Sequence, residues 1–136
     1  GVAQFERLDE ILEKRARVAG WYDAKLDSVP ILAKPSALDG SEVAWFVYVI
    51  RLLKDVNRDR VISGCDEAGV PVRPYFPPIH LMPHYSAPYG YSKGDFPITE
   101  AVASSTIALP YHANMTEADV EAVCDRLSQA IAGATD

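Results

Sequence analysis

The sequence predicts an α+β fold in two layers, with a small, mainly antiparallel sheet of about three strands and helices on one face. Helical patterns lie near both ends of the chain, and only a few short stretches between them favour β-strand. One predicted helix is joined to the following strand by a single glycine, which makes the two elements neighbours. Helices and strands in this arrangement bury their apolar sides best as one sheet packed against one helical layer.

The composition is that of a single soluble globular domain, with 136 residues, 49% of them hydrophobic and 24% charged. The net charge of -6 disfavours nucleic acid or an anionic membrane as a partner. No apolar run approaches membrane-spanning length and no signal-peptide pattern begins the chain, so we expect a cytoplasmic protein. Cys65 and Cys124 lie in helical segments outside any metal-binding spacing and are expected to be reduced core thiols.

The first helix is predicted from Val2 to about Leu26, because apolar residues recur there at steps of three and four. The recurring residues are Val2, Phe5, Leu8, Leu12, Ala16, Ala19, Tyr22 and Leu26. No Ser, Thr, Asp or Asn precedes them to satisfy the first free N–H groups. Either Gly1 is a poor cap or the chain has been cut inside a helix.

The strongest strand signal is Val43–Leu53, where β-branched and aromatic residues dominate and both alternating sets are apolar until Arg51. We expect such a strand to be covered on both faces, by helices on one and by loops or another domain on the other. Before it, two prolines and a glycine limit Ile31–Ala33 to a short extended piece at most.

The middle of the chain contains a helix followed closely by a strand. Asn57 is the expected N-cap of a helix through about Ala68, and Gly69 suits the left-handed position after it. The strand Val70–Phe76 follows directly.

The last third of the chain is predicted to hold two helices around a brief strand. Pro97 begins a helix that reaches about Ser104, residues 105–109 favour β-strand, and Thr116 caps the final helix. Asp119 stands where a full capping box has Glu or Gln, so we expect an imperfect box. The apolar stripe of the final helix is Val120, Val123, Leu127, Ala130 and Ile131.

The segment Pro71–Phe96 holds six of the ten prolines and four of the seven tyrosines. Because each proline fixes φ and removes a backbone donor, most of the segment is predicted to be a stiff, irregular loop. It contains too many apolar and aromatic residues for a disordered tail. We interpret it as an ordered rim that carries side chains to a site.

Three side chains of this region are candidates for contacting a ligand. The Arg73 guanidinium could bind a carboxylate or phosphate, and the alternative is a solvated charge or a salt bridge to a helix. His80 could face an anionic or hydroxyl-rich ligand, or be a hydrogen-bonded structural histidine. Tyr75 could offer a packing or hydroxyl contact. His80 and His84 stand four residues apart, but Pro83 between them disfavours a helical metal pair, so no metal site is predicted.

The sequence lacks the short motifs of complete catalytic sites. It has no GxSxG, P-loop, GxGxxG or HExxH motif, and no Ser/His/Asp set arranged for nucleophilic catalysis. No catalytic residue is therefore assigned.

Three motifs carry a resemblance to a known family: YFPPIH at Tyr75–His80, GDFP at Gly94–Pro97 and LPYHANMTEAD at Leu109–Asp119. With the run AQFERLDEILEKRARVAGWYDAKL near the start, they make the chain resemble the C-terminal part of the DegT/StrS pyridoxal-phosphate (PLP) dependent nucleotide-sugar aminotransferases. The resemblance covers nearly all 136 residues in the right order.

The resemblance implies a fold-type-I transferase that forms a homodimer, with its active site at the domain and subunit boundaries. Glutamate would donate the amino group to a keto sugar carried on a nucleotide. By their match to the family motif, Arg73, Tyr75 and His80 would border the cleft where the nucleotide sugar lies.

The same resemblance implies that the cofactor-binding domain, with the lysine that holds PLP, lies upstream of residues 1–136. The lysines of this chain do not match that position, so no cofactor-binding residue is assigned and the chain alone is expected to be inactive. These lysines are Lys14, Lys25, Lys34, Lys54 and Lys93. Two alternatives remain open: a stand-alone, non-catalytic binding domain that uses the 71–96 segment, and a dehydratase or regulatory member of the same family.

Overall fold

The computed structural model describes residues 2–135 and contains a four-stranded sheet and six α-helices within them. The helices are α1 (Val2–Phe5), α2 (Leu8–Leu26), α3 (Arg58–Glu67), α4 (Pro83–Tyr89), α5 (Pro97–Ser105) and α6 (Glu117–Ala132). The strands are β1 (Ile31–Ala33), β2 (Tyr48–Leu52), β3 (Arg73–Pro74) and β4 (Thr106–Leu109). A 3-10 turn at Ile79–Leu81 precedes α4.

The sheet is antiparallel throughout, in the order β1-β2-β4-β3. This confirms the α+β class. The sheet has one strand more than the three predicted, because the short piece Ile31–Ala33 pairs with β2. The long central strand is shorter than predicted, because backbone pairing covers only Tyr48–Leu52 of the interval 43–53. In β2 the side chains alternate between buried and half-buried, so its second face is not fully covered by residues 2–135.

The hydrophobic core lies between β2, β4 and the helices α2, α3 and α6. Tyr48, Ile50 and Leu52 of β2 are fully buried in the same cluster as the apolar sides of these helices. Tyr22 of α2 stacks on Tyr48 at 4.8 Å between ring centroids. The predicted α6 stripe is confirmed, with Ala130 partly buried and the others buried. The core of residues 2–135 is thus one contiguous cluster under one layer of helices.

The first helix differs from its prediction. It is interrupted at Glu6 and Arg7, and its early apolar residues Val2 and Phe5 are exposed. Only from Val18 onward does its apolar side reach the core. The question about the cap at Gly1 falls outside the described residues.

The helix caps follow the sequence closely. The Asn57 side chain accepts hydrogen bonds from the backbone of Asp59 and Arg60, and Gly69 has the predicted positive φ of 78°. The box at Thr116 is complete, which corrects the expectation of an imperfect one. The Asp119 carboxylate accepts from the Thr116 backbone at 2.8 Å, so the shorter acid suffices in place of Glu.

The cysteines are free and buried, as predicted. Burial raises the pKa of both the Cys65 and the Cys124 thiol to about 11. Of the helices in residues 2–135, none combines the length and apolar character that crossing a membrane requires.

Candidate functional site

The segment 71–96 leaves the sheet at its β3 edge and lies against α5. β3 is shorter than the predicted strand Val70–Phe76, because Pro71 and Pro74 cannot donate ladder hydrogen bonds. The Thr106 hydroxyl of β4 donates to the Tyr75 carbonyl at 2.7 Å and fixes the exit of the strand. The sheet therefore fixes the point at which the segment leaves β3.

The segment is more regular than predicted. It contains the 3-10 turn and α4, although a stiff irregular loop was expected. Pro83 stands in the first turn of α4, where a missing N–H costs nothing, and Gly90 ends the helix with a φ of 72°. Pro83 therefore begins a helix in a segment whose prolines were expected to exclude one.

His80 is buried against α5. Only 8% of the residue is exposed, and its Nε2 lies 3.0 Å from Oε1 of Glu100. The ring also contacts the Phe96 ring, with 4.7 Å between centroids. A neutral imidazole that donates from Nε2 to the carboxylate keeps Nδ1 as an acceptor. The structure thus gives His80 a fixed orientation.

Glu100 is the central acceptor of this region, and sequence reasoning did not single it out. Besides His80, it accepts hydrogen bonds from the backbone of Gly94, at 2.8 and 3.1 Å, and of Phe96 at 3.4 Å. The Gly94 bond, followed by the His80 bond, lowers the pKa of Glu100 below its ordinary value. Gly94 reaches this position with a φ of 102°, which favours glycine. One carboxylate therefore holds both the 92–97 turn and the His80 ring.

Arg73 lies on the exposed edge of the sheet. Its Nη1 donates to the Val72 carbonyl at 2.7 Å and to Asp66 of α3 at 3.2 Å. This is the helix salt bridge that the sequence left open as an alternative. Because both partners are largely exposed, the pair contributes little to stability. The guanidinium is oriented but still accessible.

Three adjoining clefts border this segment. The proline cleft, about 450 Å³, is lined by Arg58, Pro74, Pro77, Pro78, Leu81, Lys93, Glu100, Ala103 and Ser104. The aromatic cleft, about 300 Å³, is lined by Ile79, His80, Tyr85, Tyr91, Phe96 and Thr99. The outer cleft, about 420 Å³, is lined by Tyr75, Phe76, Pro77, Pro78, Ile79, Ile98, Thr99, Val102 and Ala103.

The three predicted site residues do not meet in one cleft. His80 lines the aromatic cleft and Tyr75 the outer cleft, whereas Arg73 lines none of the three. Tyr75 is half-buried, and the centroid of its ring lies 4.3 Å from the centroid of the Phe76 ring. The structure therefore places them along one rim of the molecule rather than around one point.

The rim exposes large apolar side chains. Phe76 is 64% exposed, Ile79 60% and Ile98 81%. A cluster of such residues is typical of a surface that binds a ligand or another part of a protein. Across residues 2–135, no group of three or more His, Cys, Asp or Glu side chains could hold a metal ion.

The model of the DegT/DnrJ/EryC1/StrS aminotransferase family matches residues 1–128. The chain belongs to this family. It is 41% identical over 135 residues to the GDP-perosamine synthase of Caulobacter vibrioides, a match that covers 96% of this chain and 35% of that protein. It is 30% identical to the spore coat polysaccharide biosynthesis protein SpsC of Bacillus subtilis, covering 98% of this chain and 36% of the relative. The chain thus spans about a third of the length of these curated relatives.

Solved structures of the family have the same fold. The aminotransferase TlmJ from Streptoalloteichus hindustanus superposes with a TM-score of 0.83 at 28% identity, over 97% of this chain and 35% of that one. Helicobacter pylori PseC, an aminotransferase involved in the biosynthesis of pseudoaminic acid, gives a TM-score of 0.85 at 16% identity, over 97% and 36% of the two chains. The second comparison supports the fold alone.

The residues of this chain do not fit PLP, the cofactor that the family implies. A PLP site needs a lysine for the cofactor and an acidic partner for its ring nitrogen. Lys14, Lys25 and Lys34 are engaged in ion pairs with Glu10, Glu121 and Asp27. Lys54 and Lys93 are exposed on the surface. Lys93 lines the proline cleft together with Glu100, but that carboxylate is already engaged by His80 and by the backbone of Gly94 and Phe96, so it is not free to pair with the ring nitrogen.

Proposed function

We propose that residues 1–136 form the small C-terminal domain of a PLP-dependent aminotransferase that moves an amino group from glutamate to a nucleotide-linked keto sugar. The family match over residues 1–128 carries this proposal, since the chain is related over nearly its whole length to a third of each relative. PLP, when bound to the complete enzyme, would supply the electron sink for amino-group transfer. A larger domain would hold the cofactor.

The role that we propose for this chain is to line the substrate cleft. Arg73 would bind a phosphate or carboxylate of the substrate, because its guanidinium is exposed and already oriented by Asp66. Tyr75 would pack against the sugar or nucleotide with its ring. His80 would accept a hydrogen bond from a sugar hydroxyl through Nδ1, with Glu100 fixing the ring.

The assembly is also part of the proposal. A cytoplasmic homodimer, with active sites at the domain and subunit boundaries, would cover the apolar side chains that the rim exposes. Phe76, Ile79 and Ile98 are the best candidates for such covered positions.

The test uses the complete enzyme that contains this chain. Labelled glutamate and a panel of nucleotide-linked keto sugars are supplied, and transfer of the amino nitrogen is followed by mass spectrometry. Transfer to at least one of these sugars is expected. If none accepts the nitrogen while the enzyme is folded and PLP-loaded, the proposal fails, and the dehydratase or binding alternatives replace it.

The proposed contacts are tested by Arg73→Ala and His80→Gln in the same enzyme. Loss of the charge-assisted bond of Arg73, or of the neutral bond that His80 accepts, should lower kcat/KM for the sugar, by roughly tenfold or more for Arg73→Ala and by less for His80→Gln. Arg126→Ala, an exposed arginine on α6, is the matched control and should change kcat/KM little. Unchanged kinetics in both variants, with melting temperatures like the native enzyme, would remove Arg73 and His80 from the site.

A further inference from the structure

A fourth cleft, lined by no residue of the 71–96 segment, lies where the end of β2 meets the C-terminal end of α5. Its volume is about 320 Å³, at the lower end of the range of small-molecule sites. Leu32, Leu52 and Val56 give it an apolar wall, and Arg51, Lys54 and the α5 serines line the rest. We call it the Arg51 cleft.

The charge of the Arg51 cleft is opposite to that of the molecule. Arg51 and Lys54 are the ionisable side chains that line it, and no carboxylate does. The whole chain carries a net charge of -6. Asp55 follows Lys54 in the sequence but does not line the cleft. Because two positive side chains line the cleft and no carboxylate neutralises them there, the cleft favours an anionic ligand.

Arg51 is held in place by its Nε atom. That atom donates to the Ser105 hydroxyl at 3.0 Å, and the hydroxyl in turn donates to the Ala101 carbonyl at 2.9 Å. The side chain is half-buried. Within residues 2–135, the hydrogen bonds and ion pairs engage neither of its Nη groups, nor the Lys54 ammonium. The outer side of an oriented guanidinium is therefore available.

We propose that the Arg51 cleft binds a small oxyanion, either a carboxylate or a phosphate. The two Nη groups would form a bidentate contact, and Lys54 would add a second positive charge. Such a role would account for the one charged side chain of β2. The inference does not depend on the proposed aminotransferase activity.

The test is a titration of the isotopically labelled chain followed by amide chemical shifts. Inorganic phosphate and succinate are the two probes, each added at constant ionic strength. We expect saturating shifts confined to residues near 51–56 and 101–105, and the tighter probe identifies which oxyanion is preferred. Shifts that increase linearly with both probes, or that spread over the whole surface, would overturn the proposal.

The variants Arg51→Gln and Lys54→Gln should each raise the dissociation constant by roughly tenfold. Lys54→Gln keeps the test valid if Arg51→Gln disturbs folding, because Lys54 is exposed. Lys14→Gln, which removes the same charge from α2, is the control and should leave binding unchanged. Equal affinity in Lys54→Gln and the native chain would show that the cleft does not hold the anion.

Discussion

Glu100 joins His80 to the turn at residues 94–96. Its carboxylate accepts from the His80 ring and from the backbone of Gly94 and Phe96. Because a carboxylate forms stronger hydrogen bonds than a neutral amide, the geometry of His80 depends on the charge of Glu100. A change at Glu100 therefore acts on the proposed substrate contact without touching substrate.

The pH dependence of stability tests this role of Glu100. Its pKa is lowered in the folded protein, so its stabilising contribution is present above its unfolded pKa, near 4.5, and is lost as pH falls through the lower folded value. Glu100→Gln should lower the melting temperature at neutral pH, and the difference from the native chain should shrink as pH falls below about 4.5.

The control for this measurement is Glu13→Gln, an exposed carboxylate on α2. It should change the melting temperature little at neutral pH, where Glu100→Gln should lower it. A Glu100→Gln curve parallel to the native one at every pH would contradict the role assigned to the carboxylate.

Some of these residues could be predicted from the sequence and others could not. Arg73 was identified as a candidate, and its bond to Asp66 is the salt bridge to a helix that the sequence left open as an alternative. The His80–Glu100 pair could not be identified, because its partners lie on separate elements that only the fold brings together. From the sequence, Glu100 could be recognised only as an acidic residue in the first turn of a predicted helix.

At the scale of elements, the ends of helices were predicted better than the extent of strands. Side chains at Asn57 and Thr116 cap helices through local contacts, which depend on a few neighbouring residues. Strand length depends on distant partners, which did not pair with residues 43–47, and on prolines within the strand, which limited the predicted strand Val70–Phe76 to Arg73–Pro74. The helix α4 was missed because prolines were read as helix breakers at positions where they can start one.

The cap of α6 gives a prediction for this scale. Thr116→Ala removes the acceptor for the Asp119 backbone N–H at 3.2 Å and should lower the free energy of unfolding by about 1 kcal/mol. Equilibrium unfolding in urea measures this loss of unfolding free energy, provided that the dependence of the free energy on urea concentration is the same in both proteins. Ser63→Ala, at an exposed position within α3, is the control and should change stability little. A Thr116→Ala variant as stable as the native chain would mean that the capping box does not stabilise α6.

The whole molecule combines a closed core with an open rim. Tyr22, Tyr48 and Leu127 are fully buried by residues of this chain. By contrast, Phe76, in the YFPPIH motif, and Ile98, which directly follows GDFP, expose most of their apolar surface. The fold class followed from local patterns, and the apolar residues on both faces of 43–53 indicated one incompletely covered face, but no local pattern indicated that Phe76 and Ile98 would be exposed.

The central claim is that this chain lines a substrate cleft while the cofactor is held by another part of the enzyme. Spectrophotometric titration with PLP tests it most directly, with the 136-residue chain and the complete enzyme compared under the same conditions. The account predicts a saturable visible absorption band for the complete enzyme and none for the chain alone. A saturable band in the isolated chain, lost when one of its own five lysines is replaced, would contradict it.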